Sequence, residues 1–149
     1  MAEAAIPGGA FSFWVEIQGT ISGAFRECTG LGSESEVVAD PGSGPKGGDA
    51  LQKIPGRLKW TNIVLKRGVT ASMEIWNWRK LVEDGKTTES FRNGSIIMYD
   101  ANNTQEEMAR WNFEKAWPSK ITGPVFNAAT NEIGIEELEI VHHRLTRVK

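Results

Sequence analysis

Two adjacent histidines, one cysteine and a run of glutamates are the residues of this 149-residue chain that offer themselves for chemistry. His142 and His143 are neighbours in an extended segment and therefore point to opposite faces, a poor arrangement for holding one metal ion. Cys28 would need carboxylates to converge on it from distant parts of the chain. Nucleophilic catalysis requires a serine or cysteine beside a base, and no nucleophile-elbow pattern is present. Glu136, Glu137 and Glu139 lie on an extended segment without an evident pocket, so paired-carboxylate chemistry has no support either. The glycines Gly42, Gly44, Gly47 and Gly48 match neither phosphate-cradling fingerprint. The expectation is a protein with no catalytic, metal or cofactor site, in which Cys28 is a small buried residue at a strand end.

What remains is surface charge. The formal net charge of −2 gives no overall pull toward nucleic acid or acidic lipid. Locally the balance differs: from Leu51 to Met73 there are five basic residues (Lys53, Arg57, Lys59, Lys66, Arg67) and no acid, whereas Glu132, Glu136, Glu137 and Glu139 cluster near the C-terminus. Head-to-tail complementarity between subunits is one reading, and two solvated strand faces that merely differ is the other. The basic strand contains a single aromatic, Trp60, a thin signal for nucleic-acid binding, so no specific nucleic-acid partner is expected.

The elements that would carry these residues read as β-rich. Sixteen glycines and six prolines imply many turns, and the length fits one domain. Phe11, Phe13, Val15 and Ile17 alternate with Ser12, Trp14, Glu16 and Gln18, as in a strand with one buried face. Ile21 to Cys28 reads as its hairpin partner and Ser33 to Ala39 as a more polar strand. In Asp40 to Gly56, eight of seventeen residues are Gly or Pro; a loop of this length is reserved for binding or is disordered. Arg57 to Lys66 resumes strand character. Thr70 offers an N-cap, and Ala71, Ile75, Trp78 and Val82 follow at helical spacing up to Gly85, which predicts a helix over about residues 70–84. Trp76 makes this helix two-sided, a core or interface anchor.

Phe91 to Asp100 and Met108 to Trp117 form an antiparallel pair across a polar turn, and Trp117-Pro118 is expected to end the second. Ile133 to Val148 is a long final strand whose apolar positions move from odd to even, which suggests a bulge or burial of both faces by neighbouring copies. The fold class is thus mainly β (α+β), an antiparallel barrel or sandwich with one packed helix. One cysteine makes no intrachain disulfide, and Met1 to Ala10, a small flexible segment, lacks the basic-then-apolar order of a signal peptide. No stretch approaches the ~20 apolar residues needed to span a bilayer, so no membrane anchoring is expected.

Several motifs in order give the chain a family likeness. They are Phe11-Ser12-Phe13-Trp14-Val15; Phe25-Arg26-Glu27-Cys28-Thr29-Gly30-Leu31 with Glu36-Val37; Pro55-Gly56; and Leu65-Lys66-Arg67-Gly68-Val69-Thr70 with Ile75-Trp76-Asn77-Trp78. Trp111-Asn112-Phe113, Ala116-Trp117-Pro118-Ser119-Lys120, Gly123-Pro124, Asn127-Ala128, Asn131-Glu132-Ile133 and Ile135-Glu136-Glu137-Leu138-Glu139 complete the series. Together they resemble the tail tube proteins of contractile phage tails, above all the inner tube of extracellular contractile injection systems. His142-His143-Arg144-Leu145 departs from the family's His-Glu-Gly-Leu pattern and replaces an acid.

The resemblance implies a non-enzymatic subunit of six-membered rings stacked into a tube. A contracting sheath drives that tube through a target envelope with cargo in its lumen. It implies partners in copies of itself, the sheath protein, baseplate and tube-capping proteins, and cargo effectors, with assembly in the bacterial cytoplasm and release in a particle. The residues then expected at subunit contacts are Asp40, Pro41, Lys46, Asp49, Leu51, Lys53, Arg57, Lys59, Trp76, Glu132, Glu136, Glu137 and Glu139. A secreted hexameric ring of a type VI secretion apparatus, or a barrel that binds a small ligand or is enzymatic, are the alternatives.

Overall fold

A computed structural model describes residues 12–18, 21–40, 52–100, 102–127, 129 and 134–149. The expected flexible segment 1–10 and Phe11 lie outside the described residues. Strand β1 (Ser12–Ile17) buries Val15 and Ile17, as its alternation requires, while Trp14 on the other face stands opposite the buried Ile97. The expected return strand is two strands, β2 (Ile21–Phe25) and β3 (Glu27–Thr29). The chain breaks at Arg26 because it leaves β1 there and joins β6 (Ile63–Gly68), where the Arg26 amide donates to the Lys66 carbonyl at 2.8 Å.

The remaining strands are β4 (Ser33–Asp40), β5 (Gln52–Trp60), β7 (Arg92–Asp100), β8 (Asn103–Thr122), β9 (Ile135–Val141) and β10 (Arg144–Arg147). The main sheet runs β2-β1-β7-β8-β9-β6-β3, with β10 beside β8, and β4–β5 form a separate two-stranded ribbon. The main sheet folds over itself as a sandwich and is not a closed barrel. One corner is the β2–β3 break; the other lies in β8.

Strand β8 is twenty residues long because it serves both layers. Its first part pairs with β7 and β10, its last part with β9. Between them Lys115 adopts φ 50°, a left-handed conformation that turns the strand. The corner is pinned from two sides: the Lys115 amide donates to Asn93 Oδ1 at 3.0 Å, and the His143 amide donates to the Glu114 carbonyl at 2.9 Å. His143 Nδ1 also lies 2.9 Å from the Lys115 carbonyl.

The expected stop at Trp117-Pro118 does not occur. Register against β9 shifts between Pro118 and Lys120, so the residue without an amide donor sits at an irregularity and the strand runs on to Thr122. The expected single final strand is likewise divided into β9 and β10, with His142 and His143 at the break opposite the Lys115 corner. Ile133, where the odd-numbered apolar positions were expected to begin, lies outside the described residues, and from Ile135 onward no change of phase is seen. In β9 the inward positions are Glu136, Leu138 and Ile140 without interruption, and Glu136 is simply a carboxylate at an inward position.

Helix α1 (Glu74–Glu83) is shorter than expected at its start. Thr70 does not cap it; its Oγ1 accepts from the Ser72 amide, and Ser72 Oγ in turn accepts from the Glu74 amide at 3.3 Å. Its stop at Gly85, φ 81°, is as expected. Ile75 and Trp78 enter the core between the layers, joined by Val15, Ile17, Ile63, Leu65, Ile96, Phe113, Leu138 and Ile140. The short α2 (Thr87–Ser90) supplies the Ser90 carbonyl that the Trp78 indole donates to at 2.7 Å.

The Gly/Pro-rich loop is also shorter than its composition implied. β4 reaches Asp40 and β5 begins at Gln52, so Gln52 to Gly56 are strand; the stretch 41–51 lies outside the described residues. Arg57 to Lys66, expected as one strand, divides at Thr61-Asn62 between β5 and β6.

The motif glycine Gly30 has φ 91°, and a Cβ there would collide with the backbone carbonyl oxygen of Asn62. Gly30→Ala is expected to lose about 3 kcal/mol of stability, from left-handed strain and a rigid backbone clash together. Urea unfolding of the two proteins measures this directly.

Candidate assembly surfaces

The β4–β5 ribbon stands away from the core, and its sequence explains why. Its described side chains are exposed on both faces except at Gly56 and Trp60, and period-two alternation sorts them into two chemistries. Pairing places Val38 opposite Ile54, Ser35 opposite Leu58 and Ser33 opposite Trp60, which makes one face apolar. Lys53, Arg57 and Lys59 share the other face, where Glu34 opposes Lys59 and Val37 opposes Pro55. Val38, Ile54 and Leu58 are 45%, 43% and 53% exposed. The register shifts between Ser35 and Val37, which bends the ribbon and accommodates Pro55. At its root the Trp60 ring lies 5.8 Å from that of His142.

The two oppositely charged segments meet inside one chain before they can meet anything else. β6 pairs with β9 so that Lys66 faces Glu137 and Arg67 faces Glu136. Arg67 Nε donates to Glu136 Oε2 at 3.0 Å, both residues being buried. The Trp76 indole donates to the other carboxylate oxygen at 3.0 Å, and the guanidinium lies over the Phe25 ring. Arg67 Nη2 is buried without a hydrogen-bond partner among the described residues. Lys66 bridges Glu27 at 3.5 Å and Glu137 at 3.8 Å, more openly.

Of the residues expected at contacts, Lys53, Arg57 and Lys59 come together on the ribbon. Trp76 is partly exposed beside it in chemistry but elsewhere in space, on α1. Glu137 and Glu139 lie on the outward face of β9, Glu139 accepting from Asn62 Nδ2 at 2.7 Å. Glu136 is turned inward and is committed to Arg67 and Trp76. Asp40 ends β4, its side chain undescribed, and Pro41, Lys46, Asp49, Leu51 and Glu132 lie outside the described residues.

One surface was missed by periodicity. Val69, Met73, Trp76, Val125 and Phe126 are 44%, 60%, 37%, 88% and 86% exposed. Gly123 lies against the Trp76 indole, and Gly134 against Pro124 and Val69, which draws these segments together. The hints in the sequence are Trp76, which makes the helix two-sided, and Val125-Phe126, two apolar residues directly after Gly123-Pro124.

The titratable groups complete the inventory. Cys28 is half-buried, and burial pushes its thiol up to about 12, away from the thiolate a nucleophile needs. His142 is buried, its Nε2 3.1 Å from the Thr61 carbonyl, whereas His143 is exposed on the opposite side. No group of three or more His, Cys, Asp or Glu gathers as metal ligands among the described residues. An open depression of about 620 Å³ on the outward side of β1, β7 and β8 is lined by Glu16, Asn93, Ser95, Asn112 and Glu114. Ser95 Oγ there donates to Asn112 Oδ1 at 2.7 Å.

Two measurements test this electrostatic account. Glu136→Gln leaves the Arg67 charge buried and unpaired and is expected to cost about 3 kcal/mol, whereas adding Arg67→Met to it recovers most of the loss. Urea unfolding of wild type, single and double variants resolves the order. For His142, burial lowers the folded pKa below its ordinary value. The unfolded chain therefore binds a proton that the folded chain resists, and stability, full above about pH 6.5, declines as pH falls through that value toward the folded pKa. His142→Gln is expected to flatten the urea midpoint between about pH 7.5 and 5.5 relative to wild type.

Comparison with known proteins agrees over nearly the whole length. A family model described as T4-like virus tail tube protein gp19 matches residues 9–146. No curated protein sequence matches the chain. Among solved structures, the chain is similar to one in the sheath-tube complex of the extracellular contractile injection system PVC in its extended state, with 24% identity and a TM-score of 0.69, covering 98% of this chain and 93% of that one. A chain of the anti-feeding prophage (AFP) baseplate gives 18% identity and a TM-score of 0.74, covering 99% and 97%. Hcp1 from Flavobacterium johnsoniae gives 14% identity and a TM-score of 0.56, covering 91% and 94%.

Proposed function

Because the chain belongs to the tail tube protein family of T4-like viruses, we propose that it is the repeating subunit of a hollow inner tube built from stacked six-membered rings. A surrounding sheath contracts and drives this tube through a target envelope, and the lumen carries cargo. The protein does this without catalysis: its work is to close, stack and stay rigid. The solved structures it resembles are described with a sheath, a tube-terminating cap and a baseplate, which supports the same three classes of partner here. The likeness to an extracellular system supports release in a particle, and assembly in the cytoplasm beforehand is part of the same proposal.

The observation that carries the reading is the β4–β5 ribbon. A two-stranded ribbon is marginal in water on its own, and this one offers an apolar and a basic face with no core behind either among the described residues. Such a ribbon is stable and useful when neighbouring copies cover it. Lys53, Arg57 and Lys59, together with Asp40, Pro41, Lys46, Asp49 and Leu51 near and beyond its tip, are therefore assigned to contacts between subunits, as are Glu132, Glu137 and Glu139 on the acidic side. Trp76 joins them, and Glu136 serves by holding Trp76 in place. The likeness to Hcp1 supports a free hexameric ring less well, since its TM-score is 0.56 against 0.69 for the injection-system tube.

Replacing residues 41–51 by Asn-Gly closes the ribbon at its existing register with a two-residue turn. The shortened protein is expected to unfold at the wild-type temperature and to form no stacked tubes by negative-stain microscopy, where wild type forms them. Long tubes from the shortened protein would remove the tip from the assembly.

A further inference from the structure

The ribbon meets the body through two short connections, and both are held. Gly30-Leu31-Gly32 leads from β3 into β4, and Thr61-Asn62 leads from β5 into β6. The Thr61 amide donates to the Gly32 carbonyl at 3.2 Å, so the two connections are tied to each other. Asn62 Nδ2 ties the second one to β9 by donating to Glu139 Oε2 at 2.7 Å. A further tie comes from the break between β9 and β10, where His142 Nε2 lies 3.1 Å from the Thr61 carbonyl. The same ring lies 5.8 Å from that of Trp60, the last residue of β5, and 6.4 Å from that of Phe113 in the core. His142 thus stands between the ribbon's root and the sandwich and adjoins both.

Its protonation state decides whether that position can be kept. A carbonyl only accepts, so Nε2 carries the proton and the neutral ring has its lone pair on Nδ1. His142 is 5% exposed, and Nδ1 is buried with no hydrogen-bond partner among the described residues. A second proton would place an N–H and a positive charge where there is neither water nor an acceptor. Burial accordingly holds the ring's pKa below its ordinary value, against a smaller opposing effect of the Thr61 and Arg144 backbones. Among charged neighbours, His143 disfavours a second charge further. Arg144 lies opposite Glu114 in the β8–β10 register, Lys115 and Lys59 are exposed, and Glu139 is engaged by Asn62. Among the described residues no carboxylate bonds the ring to offset the cost of charging it.

We infer that His142 is a pH-sensitive pin that fixes the direction of the β4–β5 ribbon relative to the sandwich. While neutral, it holds the Thr61 carbonyl and backs the Trp60 ring. Once charged, the ring turns to water to satisfy Nδ1, and both contacts are given up together. The β4–β5 ladder does not involve His142, so the ribbon stays paired and swings on its two connections. The consequence rests on the tube-subunit reading: copies whose ribbons share one direction assemble above the transition, and below it they lose that common direction.

The test uses the full chain in a Cys28→Ala background, with spin labels on Lys53→Cys in the ribbon and Lys80→Cys on α1, both exposed positions. In dispersed subunits the label-to-label distance distribution is expected to be narrow at about pH 7.5 and broad at about pH 5, on either side of the ordinary histidine pKa. His142→Gln, whose amide still donates to Thr61 and does not titrate, is expected to stay narrow at both values, and His142→Ala to be broad at both. Without labels, wild type is expected to need about tenfold more protein to form tubes at the lower pH, as when about one ribbon in ten keeps the competent direction, whereas His142→Gln needs no more. A wild-type distribution that is the same at both values, or a narrow one in His142→Ala, overturns the pin and leaves the tube reading standing. Broadening of His142→Gln to match wild type assigns the change to another group and overturns it equally. If wild type forms neither rings nor tubes at either pH, the tube reading fails and the distances alone decide the pin.

Discussion

The register of β6 on β9 decides how the charges of this molecule are divided between inside and outside. It sets Lys66 against Glu137 and Arg67 against Glu136, so four of the charges that look intermolecular in the sequence are matched within one chain. A one-residue slip would turn Arg67 and Glu136 outward and the flanking apolar side chains with them. The pair is a weak source of net stability, since desolvation offsets most of its attraction, and one guanidinium nitrogen has no partner among the described residues. Its value lies in fixing the register and in presenting a carboxylate oxygen to the Trp76 indole. With those charges consumed, the ribbon's Lys53, Arg57 and Lys59 are the cations left to face outward in a group.

The corner in β8 has the same character of a local irregularity with long reach. A strand of twenty residues cannot stay flat and still serve both layers, so it turns at Lys115 and meets two different neighbours. The amides and carbonyls that the turn frees are taken by Asn93 and His143, and the break between β9 and β10 sits opposite the turn. Pro118 lies just beyond, at a register shift where a missing donor costs little, and its carbonyl accepts from Arg79 Nη1 of α1 at 2.9 Å. The helix is thereby tied to the strand that links the layers, which keeps Trp76 and Met73 in a constant position relative to β9.

Local patterns were legible in the sequence, and pairings were not. The alternation of Val15 and Ile17, the burial of Ile75 and Trp78, the stop at Gly85 and the opposed histidines all depend on residues within a few positions of one another. The order of motifs was sufficient to give the family. Periodicity carries no information about which strand lies beside which, so the match of Lys66 and Arg67 to Glu137 and Glu136 was invisible, and the inward Glu136 looked like a change of phase. Pro118 was read as a stop because a bulge opposite a distant strand cannot be seen in its neighbours. Thr70 failed as a cap because Ser72, two residues on, reaches the helix first. Val125 and Phe126 have no period at all, being two apolar residues in a loop. The longest misreading, the loop of seventeen residues, came from counting Gly and Pro: Pro55 and Gly56 sit in a ribbon that tolerates both.

A tube that is pushed through an envelope needs contacts that are individually modest and collectively rigid. Burying the three apolar side chains of one ribbon face offers at most a few kcal/mol, at about 1.5–3 kcal/mol for each side chain fully covered, and association itself opposes much of this. A single copy docked by its ribbon would therefore come off readily. When several copies in one ring dock on the next, the first contact places the others at high effective concentration, and the combined attachment exceeds any one of them by orders of magnitude. A ribbon separated from the core suits this arrangement, because its bending leaves the packed sandwich undisturbed.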